Sequence, residues 1–189
     1  CVERRRDPTP STYEALLALL AEQVRWSCSQ AGGYIPVGLG AAGLVYPDGT
    51  SFTANLPVKG QPLLADLGKA SGQTVTYVND CRALALSEAI YGAGRGYQTV
   101  MALILGTGVG GGIVHDGKLY EGPARTGGEF GHMPASAAIA LEYDLPLRHC
   151  GCGRRGCAET YVAGPGMTAL AQHLIGEALS PETIAARRN

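Results

Sequence analysis

Apolar runs of two kinds alternate along the first half of the chain. Long runs with helical spacing predict helices over residues 12–29, 63–71 and 82–91, and short β-branched runs predict strands over 34–39, 44–46 and 75–78. Ser11, with Glu14 three residues later, has the form of a capping box at the start of the first helix. The glycine-rich run from Gly38 to Gly43 predicts a turn after the first strand.

The character of the chain changes at about residue 98. From there the predicted elements are a strand over 99–105, a glycine-rich turn over 106–112, a hairpin that turns at Asp116-Gly117, and a helix that starts at Gly164 and continues weakly. Asp-Gly between two apolar runs is a strong signal for a tight hairpin turn. We therefore predict a domain boundary near residue 97, which gives two segments, 1–97 and 98–189.

Charge and composition exclude several classes of function. The chain has 15 Lys and Arg against 16 Asp and Glu, and this balance argues against a nucleic-acid binder and a polybasic membrane-surface protein. Apolar residues make up 46% and charged residues 16%, so the chain is expected to fold. No apolar run approaches the roughly 20 residues that span a bilayer. We expect neither a nucleic-acid nor a membrane partner.

A cluster of cysteines predicts a metal site. Three of the six cysteines, Cys150, Cys152 and Cys157, fall close together among glycines that permit tight turns. Tetrahedral zinc needs a fourth ligand, for which His132 and His149 are the candidates. His149 is adjacent to Cys150, which strains simultaneous coordination, so His132 is favoured. A Cys3His site would be structural and would indicate a reducing cytoplasm; the alternative is three reduced thiols in a glycine-rich loop.

A glycine-rich run after the strand over 99–105 predicts a phosphate-binding turn. Residues 106–111 match G-x-G-x-x-G, but a dinucleotide fold needs a helix directly afterwards, and here a strand follows. Backbone amides between two strands can still form an anion-binding nest, to which Thr107 could add a hydroxyl. The alternative is a glycine-rich bend that binds no ligand.

Three carboxylates are candidates for chemistry. Asp80 follows Asn79 at the end of an apolar strand and precedes a helix, where it could accept a proton from a substrate hydroxyl or simply cap the helix. Glu129 and Glu159 flank the metal cluster in sequence, and metal binding would bring them near one another. Such carboxylates suit the recognition of sugar hydroxyls, whereas each alone would more often be a solvated side chain.

Taken together, these residues resemble the ROK family of sugar kinases and repressors. The matching stretches are Val78-Asn79-Asp80, Leu105 to Gly112, Gly128 to His132, and Cys150 to Glu159. Their order and spacing also match, and the resemblance covers nearly the whole chain. Within the family the chain is most similar to bacterial kinases of N-acetyl-D-glucosamine, on residues 83–89, 103–108, 129–133 and 144–148.

The resemblance implies an α/β, actin-like ATPase fold of the ribonuclease H-like kind, with two lobes, incomplete in this chain. Residues 1–97 would be the small lobe without its first strands, and residues 98–189 the first part of the large lobe. The implied reaction is ATP-dependent phosphorylation of the 6-hydroxyl of N-acetyl-D-glucosamine. Mg²⁺ would accompany the ATP, a structural Zn²⁺ would shape the sugar side, and the complete protein would be a cytoplasmic homodimer.

The family's functional residues carry over by motif position. Asp80 would be the base, and the sugar contacts would be Asn55, Asn79, Asp80, Glu129, His132 and Glu159. The ATP phosphates would lie along Gly106, Thr107, Gly108, Val109 and Gly110. Zinc would be held by His132, Cys150, Cys152 and Cys157.

The chain departs from the family at both ends. The family normally opens with a strand carrying Asp-x-Gly-Gly-Thr, and it continues for roughly a hundred residues after the cysteines, a length on the scale of one domain. We therefore expect an interior piece of a longer kinase, which would bind ATP poorly by itself. The alternatives are a ROK kinase of N-acetylmannosamine or glucose, a sugar-sensing ROK repressor, and a non-enzymatic zinc module.

Overall fold

The computed structural model describes residues 3–53 and 56–187 and shows two compact units, which meet in sequence between Asp80 and Cys81. The division by contacts thus falls earlier than residue 97. The reason is that the helix over residues 80–90 packs within the second unit, where Ala85 is fully buried. The assignment of 1–97 and 98–189 to two lobes of the complete fold stays a prediction.

The first unit combines two helices with short strands. Its elements are α1 (Tyr13–Gln30), β1 (Val37–Ala41), β2 (Leu44–Val45), β3 (Ser51–Phe52), α2 (Leu63–Ser71) and β4 (Val75–Asn79). Strands β1 and β4 pair in parallel, and β2 pairs with β3 in antiparallel fashion. The core forms where α1 packs on α2, with Ala21, Val24 and Cys28 around Leu67. The predicted helix over 63–71 is confirmed.

Two local predictions in the first unit are wrong. Thr12, not Ser11, caps α1, because its side-chain oxygen accepts a hydrogen bond from the Ala15 amide at 3.4 Å. The predicted glycine turn is mostly strand, since Gly38 to Ala41 pair along β4. The turn is confined to the residues around Gly43, whose φ is +101°.

Side chains at the end of β4 hold that turn in place. The Tyr77 hydroxyl lies 2.8 Å from the Ala41 carbonyl and 2.9 Å from that of Gly43. The Asn79 side-chain amide donates to the Gly43 carbonyl at 3.2 Å. The carboxyl end of β4 is therefore fixed immediately before Asp80.

The second unit is built on an antiparallel sheet. Its elements are α3 (Asp80–Ile90), β5 (Thr99–Leu105), β6 (Val109–His115), β7 (Lys118–Leu119), a 3₁₀ helix (Phe130–His132), α4 (Ala137–Glu142), α5 (Glu159–Val162), α6 (Gly164–Ile175) and α7 (Pro181–Ala186). The sheet order is β5-β6-β7. Asp116 and Gly117 have φ of 49° and 72°, as a type I′ hairpin turn requires. The predicted strand over 99–105 and the hairpin are confirmed.

Three consecutive glycines let other elements approach both faces of β6. A Cβ on Gly112 would lie 2.6 Å from the Ala85 Cβ on α3, and one on Gly110 would meet Cys81 of the same helix. On the opposite face, a Cβ on Gly111 would lie 2.7 Å from the Phe130 ring. Strand β6 is thus enclosed between α3 and the 3₁₀ helix because it has no side chains at these positions.

The remaining helices of the second unit are short. Helices α4 and α7 have six residues each and α5 has four, too few to show a helical period in the sequence. Throughout residues 3–53 and 56–187, no helix has the length and apolarity needed to cross a membrane.

The packing on β6 predicts the effect of one methyl group. Gly112→Ala is expected to lower the free energy of unfolding by about 1–3 kcal/mol, the usual cost of overpacking. Urea unfolding measures it. Gly38→Ala is the matched control, because a Cβ on this strand glycine meets nothing within 4 Å. Equal unfolding midpoints for the two variants would contradict the close packing.

Candidate functional site

One histidine and three cysteines of the second unit come together as a candidate metal centre. One ligand atom from each of His132, Cys150, Cys152 and Cys157 lies within 4.8 Å of all the others. His132 ends the 3₁₀ helix, and the cysteines belong to the loop that precedes α5. Of the two histidines that the sequence leaves open, the one in this group is His132; His149 instead forms a backbone bridge to Arg155.

The spacing of these atoms fits a tetrahedral ion. Zinc bonds of about 2.3 Å to sulfur and about 2.0 Å to nitrogen place two sulfurs about 3.8 Å apart, and a sulfur and a nitrogen about 3.5 Å apart. The structure has 3.7 Å between Cys152 Sγ and Cys157 Sγ, and 3.5 Å between Cys150 Sγ and His132 Nδ1. The chemistry of the donor set suits zinc, and these two separations match those of a tetrahedral site.

Tight turns in the cysteine loop aim its sulfurs inward. The Gly153 amide donates to the Cys150 carbonyl at 3.0 Å, and the Cys150 amide donates to the Arg154 carbonyl at 2.9 Å. Gly153 and Gly156 have φ of 88° and 72°, a conformation that favours glycine. The glycines between the cysteines thus serve the geometry of the loop, as the sequence predicts.

The protonation of the thiols depends on their surroundings. Burial raises the pKa of Cys150 and of Cys157, whereas a hydrogen bond from the Arg154 backbone lowers the pKa of Cys152. The Cys150 thiol donates to Glu159 Oε1 at 2.9 Å. A cation at the centre would replace these protons, since thiolate is the form of cysteine that binds metal.

A chain of polar contacts runs through the second unit from α3 to the glycine turn. Arg82 Nη2 lies 3.6 Å from Glu129 Oε1, and Glu129 Oε2 lies 3.9 Å from His132 Nε2. His132 Nδ1 lies 3.5 Å from Glu159 Oε1, and Glu159 Oε2 accepts from the Val109 amide at 3.3 Å. The carboxylates of Glu129 and Glu159 therefore stand on either side of one imidazole.

The glycine turn between β5 and β6 is a hairpin connection. The Gly106 amide donates to the Gly108 carbonyl at 2.9 Å, and the Gly106 carbonyl accepts from the Gly164 amide at 2.8 Å. The strand that follows directly, β6, agrees with the rejection of a dinucleotide fold. Of the predicted phosphate-binding residues, Thr107 lies in this turn, while Val109 and Gly110 already belong to β6.

The remaining predicted site residues lie at the end of the first unit. Asn79 is the last residue of the parallel strand β4, and Asp80 is the first residue of α3. The carboxyl end of a parallel strand is where ligands of α/β sheets bind. Asn55 lies outside the described residues.

Sequence reasoning missed two residues that shape these places. Arg82 is buried within the second unit, and Tyr77 fixes the turn at Gly43. Arg82 shares its helix with the charged residues Asp80 and Glu88, so the sequence gave no signal that its side chain is buried. Tyr77 alternates with apolar neighbours on its strand and gave no signal of its own.

Comparison with known proteins gives one family for the whole chain. The family model described as "ROK family" matches residues 1–189. The N-acetylgalactosamine kinase AgaK of Shewanella sp. strain ANA-3 is 49% identical over 87% of this chain and 54% of its own. The N-acetyl-D-glucosamine kinase of Pectobacterium atrosepticum is 43% identical over 97% of this chain and 62% of its own. The chain thus spans a little over half the length of these relatives.

Solved structures agree with the expected fold class. A ROK hexokinase from Thermus thermophilus matches with a TM-score of 0.77 and 30% identity, over 92% of this chain and 57% of its own. A ROK family glucokinase from Streptomyces griseus, in complex with glucose and AMPPNP, matches with a TM-score of 0.68 and 32% identity, over 87% of this chain and 50% of its own. The predicted α/β, actin-like fold is confirmed.

The candidate metal centre predicts a different outcome for two buried cysteines. Cys157→Ser is expected to reduce bound zinc from about one ion per chain to almost none, because it removes a sulfur ligand from a four-ligand site. Metal analysis by mass spectrometry after gel filtration measures this. Cys28→Ser is the control, since Cys28 is buried in the first unit and lies outside the cluster. The same zinc content in both variants would contradict the assignment of Cys157 as a zinc ligand.

Proposed function

Because the chain belongs to the ROK family, we propose that the complete protein phosphorylates the 6-hydroxyl of N-acetyl-D-glucosamine with ATP. The observation that carries this proposal is the pair of carboxylates, Glu129 and Glu159, on either side of His132. Carboxylates and an imidazole in one polar cluster suit the several hydroxyls of a hexose, each of which can donate a hydrogen bond.

Asp80 is the proposed base of the reaction. The sugar oxygen attacks the γ-phosphorus, the bond to the ADP oxygen breaks, and the hydroxyl proton passes to the Asp80 carboxylate. The position of Asp80 directly after β4 supports this role. The preceding residue, Asn79, is fixed because its side-chain amide donates to the Gly43 carbonyl.

The sugar contacts of the proposal are the residues predicted from sequence. The residues that would bind sugar hydroxyls are Asn55, Asn79, Asp80, Glu129, His132 and Glu159. The surroundings of His132 support this role, since the carboxylates of Glu129 and Glu159 lie 3.9 Å and 3.5 Å from its two ring nitrogens. Glu159 is oriented in turn by the Val109 amide, which donates to its Oε2 at 3.3 Å.

The glycine turn is proposed to line the ATP phosphates through Gly106, Thr107, Gly108, Val109 and Gly110. A turn without side chains at Gly106 and Gly108 admits a phosphate close to the backbone, where amides can donate. Mg²⁺ would accompany the nucleotide, because phosphoryl transfer develops charge on the phosphate oxygens. A cytoplasmic location and a homodimer complete the proposal and stay predictions.

Zinc is proposed as a structural ion held by His132, Cys150, Cys152 and Cys157. A closed four-ligand site leaves no position for substrate, so the ion would supply fixed geometry rather than chemistry. The positions of the four ligand atoms, all within 4.8 Å of one another, support this role. The cysteine loop leads directly into α5, so an ion there would also fix the start of the helix that carries Glu159.

A second substrate, N-acetyl-D-galactosamine, is favoured by one observation. The relative with the higher identity, 49%, is named an N-acetylgalactosamine kinase. The two sugars differ only in the direction of one ring hydroxyl, and both carry the N-acetyl group and the 6-hydroxyl. Discrimination between the two sugars would therefore depend on which ring hydroxyl donates a hydrogen bond to Glu129 or Glu159.

A coupled kinase assay on the complete protein tests the proposal. With ATP and Mg²⁺, the highest kcat/KM is expected for N-acetylglucosamine in a panel with N-acetylgalactosamine, N-acetylmannosamine and glucose. Asp80→Asn is expected to lower kcat by about 10² to 10⁴, the usual contribution of a general base. Asp116→Asn is the matched control, because Asp116 is an exposed aspartate in the hairpin turn.

The outcomes separate the alternatives. If kcat/KM is highest with N-acetylgalactosamine, the proposed substrate is wrong but the proposed reaction, phosphorylation of a sugar by ATP, stands. Sugar binding without turnover on any member of the panel would sink the kinase and favour a sugar-sensing repressor. Equal activity of Asp80→Asn and Asp116→Asn would remove Asp80 from the role of base.

A further inference from the structure

Arg82 is a buried cation that the proposed mechanism does not use. It lies in the first turn of α3, two residues after Asp80, and is only 3% exposed. A charge is costly to bury unless its polar atoms are paired. Its partners therefore indicate what this side chain does.

All three guanidinium nitrogens of Arg82 face the loop over residues 121–129. Nε donates to the Gly127 carbonyl at 3.1 Å, and Nη2 donates to the Arg125 carbonyl at 2.5 Å. Nη1 binds Glu121 Oε1 at 3.1 Å, and Nη2 lies 3.6 Å from Glu129 Oε1. Two carbonyls and two carboxylates of one loop thus converge on a single side chain.

The loop has little regular structure of its own. It contains no helix or strand before Phe130, and its backbone turns rest on bonds such as the Gly127 amide to the Glu121 carbonyl at 2.8 Å. Gly128 has φ of 96°, and a Cβ there would collide with the Gly111 carbonyl of β6. The hydrogen bonds from Arg82 therefore fix the backbone of this loop, as pairing with a neighbouring strand would fix a β-strand.

The two carboxylates on Arg82 differ in what lies beyond them. The Glu121 side chain is 46% exposed and binds Arg82 through Oε1. Glu129 contacts Arg82 through Oε1 and faces His132 through Oε2. The guanidinium thus fixes the direction of a carboxylate whose other oxygen points toward the His132 ring.

We propose that Arg82 is a positioning residue for the sugar site and that it acts through Glu129. This inference rests on the proposed function, in which Glu129 binds a sugar hydroxyl. Arg82 links the first turn of α3 to the carboxylate and holds it in the binding direction without touching the sugar. A role in loop stability alone would instead weaken the fold and leave the sugar affinity of the folded protein unchanged.

A double-mutant cycle on the complete protein separates the two roles. Arg82→Gln is expected to raise KM for N-acetylglucosamine by about tenfold to a hundredfold, because Glu129 loses the charged group that orients it. KM for ATP should stay within about twofold of the wild type, since Arg82 contacts the sugar side. In a Glu129→Gln background, the same change should add less than about threefold, because the residue it acts through is already altered.

The control variant is Glu121→Gln, which disturbs the same guanidinium but leaves Glu129 intact. Its KM for the sugar is expected to stay within about threefold of the wild type, because the half-exposed Glu121 is replaced while Glu129 keeps its contact with Arg82. An equal effect from Glu121→Gln and Arg82→Gln would overturn the proposal. Full additivity of Arg82→Gln with Glu129→Gln would overturn it as well.

Folding is checked by thermal unfolding of each variant. If Arg82→Gln does not fold, Arg82→Lys carries the same cycle, since the ammonium keeps the charge but cannot reproduce the planar fork. If neither folds, a separable positioning role is overturned. If the wild type phosphorylates no sugar, only the proposed function is overturned. Binding of N-acetylglucosamine to the same variants, measured by calorimetry, then tests whether Arg82 acts through Glu129.

Discussion

The close packing on both faces of β6 is the constraint on which the second unit depends. Helix α3 can approach the strand only because Gly110 and Gly112 have no side chain, and Phe130 approaches the other face because of Gly111. Dispersion contacts fall steeply with distance, so such short separations give close complementarity that larger residues would prevent. Two elements that carry functional side chains are thereby fixed against one strand.

The polar network depends on that packing. Since α3 and the 3₁₀ helix lie on opposite faces of β6, Arg82 reaches around to the loop before Phe130, while His132 and Glu159 reach the cysteine loop. Glu129 faces Arg82 with one oxygen and His132 with the other, and Glu159 makes contacts through both of its oxygens, which restricts their rotation. Side chains restricted in this way lose little entropy when a ligand binds, so these two carboxylates suit a binding site.

Local features of this structure could be predicted from the sequence, and features that depend on distant pairing could not. The hairpin at Asp116-Gly117 follows from backbone preferences of two residues, and the His132 cluster follows from ligand chemistry. Gly38 to Ala41 were assigned to a turn because their strand exists only through pairing with β4. Arg82 was missed because an arginine in a helix has the same sequence pattern whether its guanidinium reaches solvent or a buried loop.

The glycines of β6 form the second half of the glycine-rich motif over residues 106–112, and their packing role bears on how that motif is interpreted. A protein that lost nucleotide binding would still need Gly111 and Gly112, because the strand must remain narrow for its neighbours to pack. Selection for folding alone is therefore enough to preserve that half of the motif. We expect it to persist in sugar-sensing members of the family without catalysis, so its presence alone does not indicate kinase activity.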